Sequence, residues 1–137
     1  MIDLHTHSFF SDGKDSPEDM IQAAINLGLD AIGISDHSHD TGCDVGIPLE
    51  KREEYRREIT RLREKYSGSI MVFCGIERDY YFDDCLEYDY SIGSVHSVRM
   101  DDGSYVFIDW TPEMLAEGVR RYFGGNWIRL AEIGRAS

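Results

Sequence analysis

Histidines and a glutamate stand in short motifs whose residue types and spacing suit metal binding. The residues are His5, His7, His37, His39, His96 and Glu77. On an extended chain, His5 and His7 point the same way with Cα atoms roughly 6.5–7 Å apart, so both imidazoles can reach one ion or two neighbouring ions. Neutral imidazole binds Zn²⁺, Mn²⁺ or Fe²⁺, and a carboxylate such as Glu77 can bridge two ions. Taken together, these residues predict a divalent-metal centre.

Each of these motifs ends or follows a pattern typical of a β-strand. Residues 2–7 alternate between apolar and polar types, and short apolar runs cover residues 29–35, 70–76 and 90–95. Helical patterns separate the first three of these strands, and a loop or short helix precedes the fourth. Strands that alternate with helices favour a parallel β/α architecture. The carboxyl ends of parallel strands converge on one face in such folds. We therefore expect the histidines and Glu77 to meet at that face.

The helices and a hairpin have clear boundary signals. Ser16-Pro17 and Thr111-Pro112 each pair a capping residue with a proline, as at helix starts. Residues 49–66 predict the clearest helix, and Asp101–Ser104 predicts the turn of a β-hairpin. The predicted apolar helix stripes are Met20, Ala24 and Leu27; Tyr55, Ile59, Leu62 and Tyr66; and Leu115, Val119 and Tyr122.

Composition narrows the possible partners. The chain has 137 residues and a net charge of −12, which disfavours nucleic acid and anionic membranes as partners because both require a basic surface. Its three cysteines, Cys43, Cys74 and Cys85, form no C-x-x-C pair and are expected to be reduced thiols. The first residues show no signal-peptide pattern, so a cytoplasmic location is the default expectation.

Four motifs resemble those of the PHP (polymerase and histidinol phosphatase) metal-dependent phosphoesterases, and they are closest to the histidinol-phosphatase branch. The motifs are Asp3-Leu4-His5-Thr6-His7-Ser8 with Ser11-Asp12-Gly13; Ile34-Ser35-Asp36-His37; Gly75-Ile76-Glu77; and Ile92-Gly93-Ser94-Val95-His96. The likeness extends to about residue 126. It implies an α/β fold, a PHP-type distorted (β/α)7 barrel, present here as a partial, half barrel with an added β-hairpin. Residues 1–137 would be a single PHP domain that lacks its C-terminal half.

The resemblance also implies the site. The metal ligands carried over from the family are His5, His7, Asp12, His37, Glu77 and His96. The two carboxylates, Asp12 and Glu77, are also the predicted catalytic residues, and Glu77 would bridge the ions. The cofactors would be Zn, Mn or Fe ions, up to three in a complete site and one or two here. The substrate-binding residues stay unknown.

The implied activity is that of a hydrolase in histidine biosynthesis. Histidinol phosphate and water would give histidinol and phosphate through a metal-activated hydroxide. Two alternatives stay open: a truncated, catalytically impaired metal-binding half-barrel, and a PHP-type nuclease, which the negative charge disfavours. No histidine follows His96, whereas the family has further ligands and basic phosphate-binding residues there. We expect an open half-barrel to self-associate, because its edge and apolar surface lack a cover.

Several neighbouring residues have two interpretations. His39 is either a contact that supports the ligands or the substrate, or an exposed loop residue. Asp36 is a strand-end turn residue or, less favoured, a support for the ligands. Asp79, Asp83 and Asp84 are interpreted as a solvated acidic loop rather than as a site for a cationic substrate. The aromatic run Tyr80-Tyr81-Phe82 is interpreted as buried anchors rather than as a pocket lining.

Overall fold

The computed structural model describes residues 1–39, 45–81 and 86–133, which belong to two compact units, Met1–Ser94 and Val95–Ser137. The elements are β1 (Ile2–Asp3), α1 (Pro17–Asn26), β2 (Ala31–Ile34), a 3-10 turn (Leu49–Lys51), α2 (Arg52–Tyr66), β3 (Met71–Asp79), β4 (Tyr90–Ser94), β5 (Ser97–Arg99), β6 (Tyr105–Phe107), α3 (Pro112–Phe123) and α4 (Trp127–Ile133).

The first unit is built on a curled, four-stranded parallel sheet in the order β1-β2-β3-β4. Each strand pairs with the next one in the chain, with Ile34 opposite Cys74 and Glu77 opposite Ile92. Helix α1 lies between β1 and β2 in the chain and α2 lies between β2 and β3, as parallel strand pairs require a crossover connection. The predicted α/β class and the half-barrel are confirmed.

The core of this unit lies between α2 and the sheet. Tyr55, Ile59 and Leu62 are fully buried, at the positions that the helical periodicity predicts. The Tyr55 hydroxyl donates to the carbonyl oxygens of Ile34 (2.6 Å) and Gly75 (2.8 Å), so one side chain connects α2 to both central strands. These bonds satisfy the hydroxyl in a position where an unpaired polar group would be costly.

Strand β1 is shorter than the alternation predicts. It ends at Asp3, whose Oδ1 accepts a hydrogen bond from the His5 N–H at 3.1 Å and turns the chain away from the ladder. The chain contacts the β2 segment again at Thr6. The Thr6 carbonyl accepts from the Ser35 N–H at 2.8 Å, and the Thr6 hydroxyl donates to the Gly33 carbonyl at 2.9 Å. His5 and His7 thus follow β1 instead of lying on it.

Two further predictions are wrong in detail. Glu77 lies inside β3 rather than at its end, because β4 pairs with this strand as far as Asp79. Leu27 is 78% exposed because it is the C-terminal cap of α1, and Ile21 occupies the core instead. The predicted start of α1 is confirmed, since Ser16 Oγ accepts from the Asp19 N–H at 3.0 Å.

The second unit contains the predicted hairpin and helix. Strands β5 and β6 are antiparallel, and Thr111 caps α3 by accepting from the Met114 N–H at 3.2 Å. Val106 of β6 packs with Val119 and Phe123 of α3. Helix α4 follows without a counterpart among the predicted elements. Within the described ranges, no helix combines the length and the apolar character needed to cross a membrane.

Candidate metal centre

One carboxylate oxygen is surrounded by three imidazole nitrogens. Oε2 of Glu77 lies 3.1 Å from His5 Nε2, 2.9 Å from His7 Nε2 and 3.2 Å from His37 Nδ1. The side chain of Glu77 is buried, those of His7 and His37 are partly buried, and that of His5 is half exposed. Three separate chain segments therefore direct their donor atoms to one point.

A second carboxylate extends this cluster. Oδ1 of Asp12 lies 2.9 Å from His7 Nδ1, and its Oδ2 lies 3.6 Å from His37 Nε2. Partial burial would raise the pKa of Asp12, but the hydrogen bond with His7 and the charges of His37 and His7 together hold that pKa below its ordinary value. Asp12 is therefore ionised at neutral pH and accepts the hydrogen bond from His7 Nδ1.

The sheet positions these side chains through backbone contacts at its carboxyl edge. The Glu77 N–H donates to the Asp36 carbonyl at 3.0 Å, and the Ser38 N–H donates to the Glu77 carbonyl at 2.7 Å. This bridge pairs His37 with Glu77 beyond the end of β2. The rings of His7 and His37 are in contact, with centroids 4.2 Å apart. The donor atoms are thus held by β3 itself and by the segments that follow β1 and β2.

The donor set fits divalent metal ions, because imidazole nitrogens and carboxylate oxygens converge at short distances. A neutral imidazole has only one N–H, yet both nitrogens of His7 and both nitrogens of His37 face carboxylates. His7 Nε2 is also buried without a hydrogen bond of acceptable geometry to any described residue, although Glu77 Oε2 lies 2.9 Å away. A ring nitrogen aimed at a carboxylate requires a cation between them, either the second proton of an imidazolium or a metal ion.

Within the first unit, two sets of donors lie close enough to hold an ion: His5, His7 and Glu77, and His7, Asp12 and His37. His39 is partly buried and belongs to neither set. His96 lies in the second unit, where its Nε2 is 3.8 Å from Asp109 Oδ2. The role of His96 as a ligand stays a prediction.

The acidic and aromatic segment after β3 differs from its prediction. Asp79 is buried rather than solvated; its N–H donates to Ser38 Oγ at 2.9 Å, and its Oδ1 accepts from the Tyr81 N–H at 2.9 Å. Tyr80 and Tyr81 are 54% and 40% exposed rather than buried, because they follow the end of the strand. Phe82, Asp83 and Asp84 lie outside the described residues.

Of the cysteines, Cys74 is a buried free thiol on β3. Burial, with the charge of Asp89, raises its pKa to about 12, so it is not a nucleophile. Cys43 and Cys85 lie outside the described residues.

Two residues that support the ligand segments carry no clear signal in the sequence. Asp36 is completely buried beside His37, against the favoured interpretation of a turn residue. The Tyr90 hydroxyl donates to the Leu4 carbonyl at 2.7 Å, next to His5. Both contacts join residues that are far apart in the chain, so no local pattern reveals them.

The chain is similar in sequence to known proteins. Over 87 residues the chain is 33% identical to DNA polymerase/3'-5' exonuclease PolX of Bacillus subtilis, which covers 64% of this chain and 15% of that protein. Over 147 residues it is 26% identical to a protein of Schizosaccharomyces pombe named "Probable histidinol-phosphatase", covering 91% of this chain and 46% of the relative.

A solved structure has the same fold. Histidinol phosphate phosphatase of Lactococcus lactis, in complex with Zn, L-histidinol and phosphate, superposes with a TM-score of 0.63 at 23% identity, covering 88% of this chain and 54% of that one. The chain thus spans about half of that structure and of the yeast relative. The PHP domain model matches residues 3–136. Nearly the whole length carries this match, and the chain belongs to the PHP domain family.

Proposed function

We propose that this chain is the metal-binding part of a phosphomonoesterase that hydrolyses histidinol phosphate to histidinol and phosphate. The observation that carries the proposal is the convergence of three imidazole nitrogens, 2.9–3.2 Å from one oxygen of Glu77. The likeness to histidinol-phosphatases supports the choice of substrate, since the relative from Lactococcus lactis binds Zn, L-histidinol and phosphate. A role in histidine biosynthesis and a cytoplasmic location belong to the same proposal.

The proposed ligands are His5, His7, Asp12, His37 and Glu77, with His96 as a further ligand. One or two ions of Zn, Mn or Fe suit this set of imidazole and carboxylate donors. When bound, such ions act as Lewis acids that lower the pKa of a water molecule and neutralise charge on phosphate oxygens. This neutralisation is what allows a chain with a net charge of −12 to accept an anionic ester.

The protein's own contribution is to fix which atoms are free to bind. In the neutral tautomer whose Nδ1–H donates to Asp12 at 2.9 Å, the lone pair of His7 lies on Nε2, the nitrogen that faces Glu77. Glu77 is buried and contacts all three rings, which suits it to bridge ions and to remain a catalytic carboxylate. Asp12 orients His7 and offers its second oxygen to the site.

Release of inorganic phosphate from histidinol phosphate, with added Mn²⁺ or Zn²⁺, tests the proposal. The chain should give turnover that a His5→Ala/His7→Ala variant lacks, while a Glu53→Gln variant on the exposed face of α2 should match the parent. Turnover no higher than that of the double variant would overturn the phosphatase proposal for this chain. Metal binding without turnover would instead identify a catalytically impaired metal-binding half-barrel.

A phosphodiesterase is the second candidate, favoured by the 33% identity to the Bacillus exonuclease. The net charge of −12 opposes it, because a nucleic-acid backbone requires basic contacts. The two candidates separate on matched chromogenic esters: we expect hydrolysis of p-nitrophenyl phosphate to exceed that of bis(p-nitrophenyl) phosphate. The reverse order would favour the nuclease.

We also propose that the chain self-associates through its open half-barrel. Strands β1 and β4 are the outer strands of the described sheet, and Ile2 on β1 is 57% exposed. An uncovered parallel edge of this kind is a template for pairing with another strand.

A further inference from the structure

The inference concerns a buried carboxylate that accepts hydrogen bonds from the turn between two proposed ligands, His7 and Asp12. Asp36 follows β2 and is completely inaccessible to solvent. It accepts three hydrogen bonds: from the Ser8 N–H (2.7 Å), from Ser8 Oγ (2.7 Å) and from Ser11 Oγ (2.5 Å). Burial raises the pKa of Asp36, and the bonds from Ser11 and Ser8 oppose that rise. All three donors belong to the turn that follows His7.

That turn carries Asp12. The Ser8 carbonyl accepts from the N–H groups of Ser11 (3.1 Å) and Gly13 (3.0 Å), which closes a compact loop. A Cβ at Gly13 would lie 2.2 Å from the His7 carbonyl oxygen, so the loop closes only with glycine at this position. The Asp12 side chain itself is 46% exposed, and its position therefore depends on the loop rather than on packing around it.

Asp36 also joins the other ligand segments. Its carbonyl accepts from the Glu77 N–H at 3.0 Å, and His37 is the next residue in the chain. One residue thus connects the loop of His7 and Asp12, the end of β2 and strand β3. A residue that served only the core would have no need to take all three of these bonds from the turn that carries Asp12.

We propose that Asp36 is a positioning residue, which sets the metal affinity of the site by holding the Ser8–Ser11 turn so that Asp12 reaches His7 and His37. The proposal rests on the metal centre proposed above. Because Asp36 would act through Asp12, the losses of metal affinity caused by changing each of the two residues should not multiply in the double variant.

Metal affinity in a double-variant series tests this. Asp36→Asn keeps the side-chain shape and should weaken Zn²⁺ binding, measured by competition with a chromophoric chelator, by about 10–100-fold. The double variant Asp12→Asn/Asp36→Asn should bind Zn²⁺ no more than about threefold more weakly than Asp12→Asn alone. Once Asp12 is replaced, the effect that Asp36 has through it is already lost. If Asp36→Asn folds poorly, Ser11→Ala replaces it in the test. It removes one hydrogen-bond donor to Asp36 and should also weaken Zn²⁺ binding.

The matched control is Asp89→Asn. Asp89 also accepts a backbone N–H bond, from Cys74 at 2.7 Å, but contacts no proposed ligand, so its replacement should leave Zn²⁺ affinity within about twofold. Parent-like affinity in Asp36→Asn, or losses that multiply with Asp12→Asn, would overturn the proposal and leave Asp36 a purely structural residue.

A second readout needs no metal. The imidazole ¹⁵N shifts of His7 in metal-free protein report its bond to Asp12, and Asp36→Asn should move them as Asp12→Asn does. If the parent bound no Zn²⁺, the metal centre would be wrong, and these shifts would still decide the role of Asp36. If the His7 ¹⁵N shifts in Asp36→Asn equalled those of the parent, the positioning role of Asp36 would be contradicted.

Discussion

At the scale of single residues, neighbouring histidines have different surroundings. His37 presents Nδ1 to Glu77 at 3.2 Å and Nε2 to Asp12 at 3.6 Å, whereas His39, two residues later, belongs to neither donor set of the first unit. The sequence alone left His39 with two interpretations. The difference arises because the bridge to Glu77 holds His37 at the strand edge.

This contrast yields a prediction with a built-in control. His37→Gln should weaken Zn²⁺ affinity by about 100-fold or more, since loss of an outer partner alone already costs about 10–100-fold. His39→Gln should stay within about twofold of the parent in the same chelator competition. Equal losses in the two variants would show that His39 is a ligand and that the present donor set is incomplete.

The residue-level site was predictable in part. The His-x-His, Ser-Asp-His and Gly-Ile-Glu motifs indicated His5, His7, His37 and Glu77, and the resemblance added Asp12. For Asp36 the sequence favoured a turn residue over a support for the ligands, because its partners lie 25 to 28 residues earlier in the chain. An aspartate suits both a turn and a buried hydrogen-bond acceptor. Only the burial of Asp36 in the folded chain distinguishes the two roles.

At the scale of elements, an aromatic side chain from β4 compensates for the shortness of β1. The Tyr90 ring lies over Gly33 of β2 and Gly75 of β3, and its hydroxyl reaches the Leu4 carbonyl. A Cβ at Gly75 would lie 2.2 Å from Tyr90 Cζ. The two strand glycines thus leave the space through which Tyr90 supports the His5 segment.

Gly75→Ala should therefore destabilise the fold by about 1–3 kcal/mol, as overpacking of a well-filled core does. Urea denaturation measures the change. Gly93→Ala on β4 is the matched control, because a Cβ there has no described atom within 4 Å and should change stability by less than about 0.5 kcal/mol. Equal stability of the two variants would refute close packing by Tyr90.

Helices α1 and α2 are joined by an ion-pair cluster that depends on pH. The bond to Lys65, the Tyr66 hydroxyl at 2.7 Å and Arg61 at 3.4 Å lower the pKa of Glu18 to about 2. The pKa is depressed in the folded state, so the stabilisation is complete above pH 4.5 and is lost as the pH falls toward 2.

Glu18→Gln should accordingly lower the Tm at pH 7 and converge with the parent near pH 2. The effect should also shrink in 1 M salt, because the cluster is exposed. Glu64→Gln, at an exposed position on the same α2, is the matched control and should lower the Tm at pH 7 less than Glu18→Gln does. A Glu18→Gln difference that is constant from pH 7 to pH 2 would exclude the carboxylate as its source.

The elements themselves were largely predictable because caps and periodicity are local. Ser16-Pro17 and Thr111-Pro112 begin helices as expected, and the hairpin forms around Asp101–Ser104. The end of β1 was not predictable, since the Asp3 to His5 bond competes with strand pairing only in the folded sheet.

At the scale of the whole molecule, the chain covers 46% of the yeast relative and 54% of the Lactococcus structure. Within the described part of the chain, the parallel sheet has β1 and β4 as its outer strands. We expect sedimentation to give a mass above the 15.7 kDa of one chain, rising with concentration. Ile2→Lys, which places a charge on the β1 edge, should shift the equilibrium toward monomer. A parent chain that sediments as a monomer at every concentration would refute self-association.

The central claim is that the imidazoles and carboxylates around Glu77 form a divalent-metal centre. Elemental analysis of the folded chain, purified without chelator, tests it most directly, with Glu77→Gln prepared in parallel. We predict at least one equivalent of Zn, Mn or Fe per chain in the parent and a marked loss in Glu77→Gln. Substoichiometric metal in the folded parent, or equal metal in both proteins, would contradict the claim.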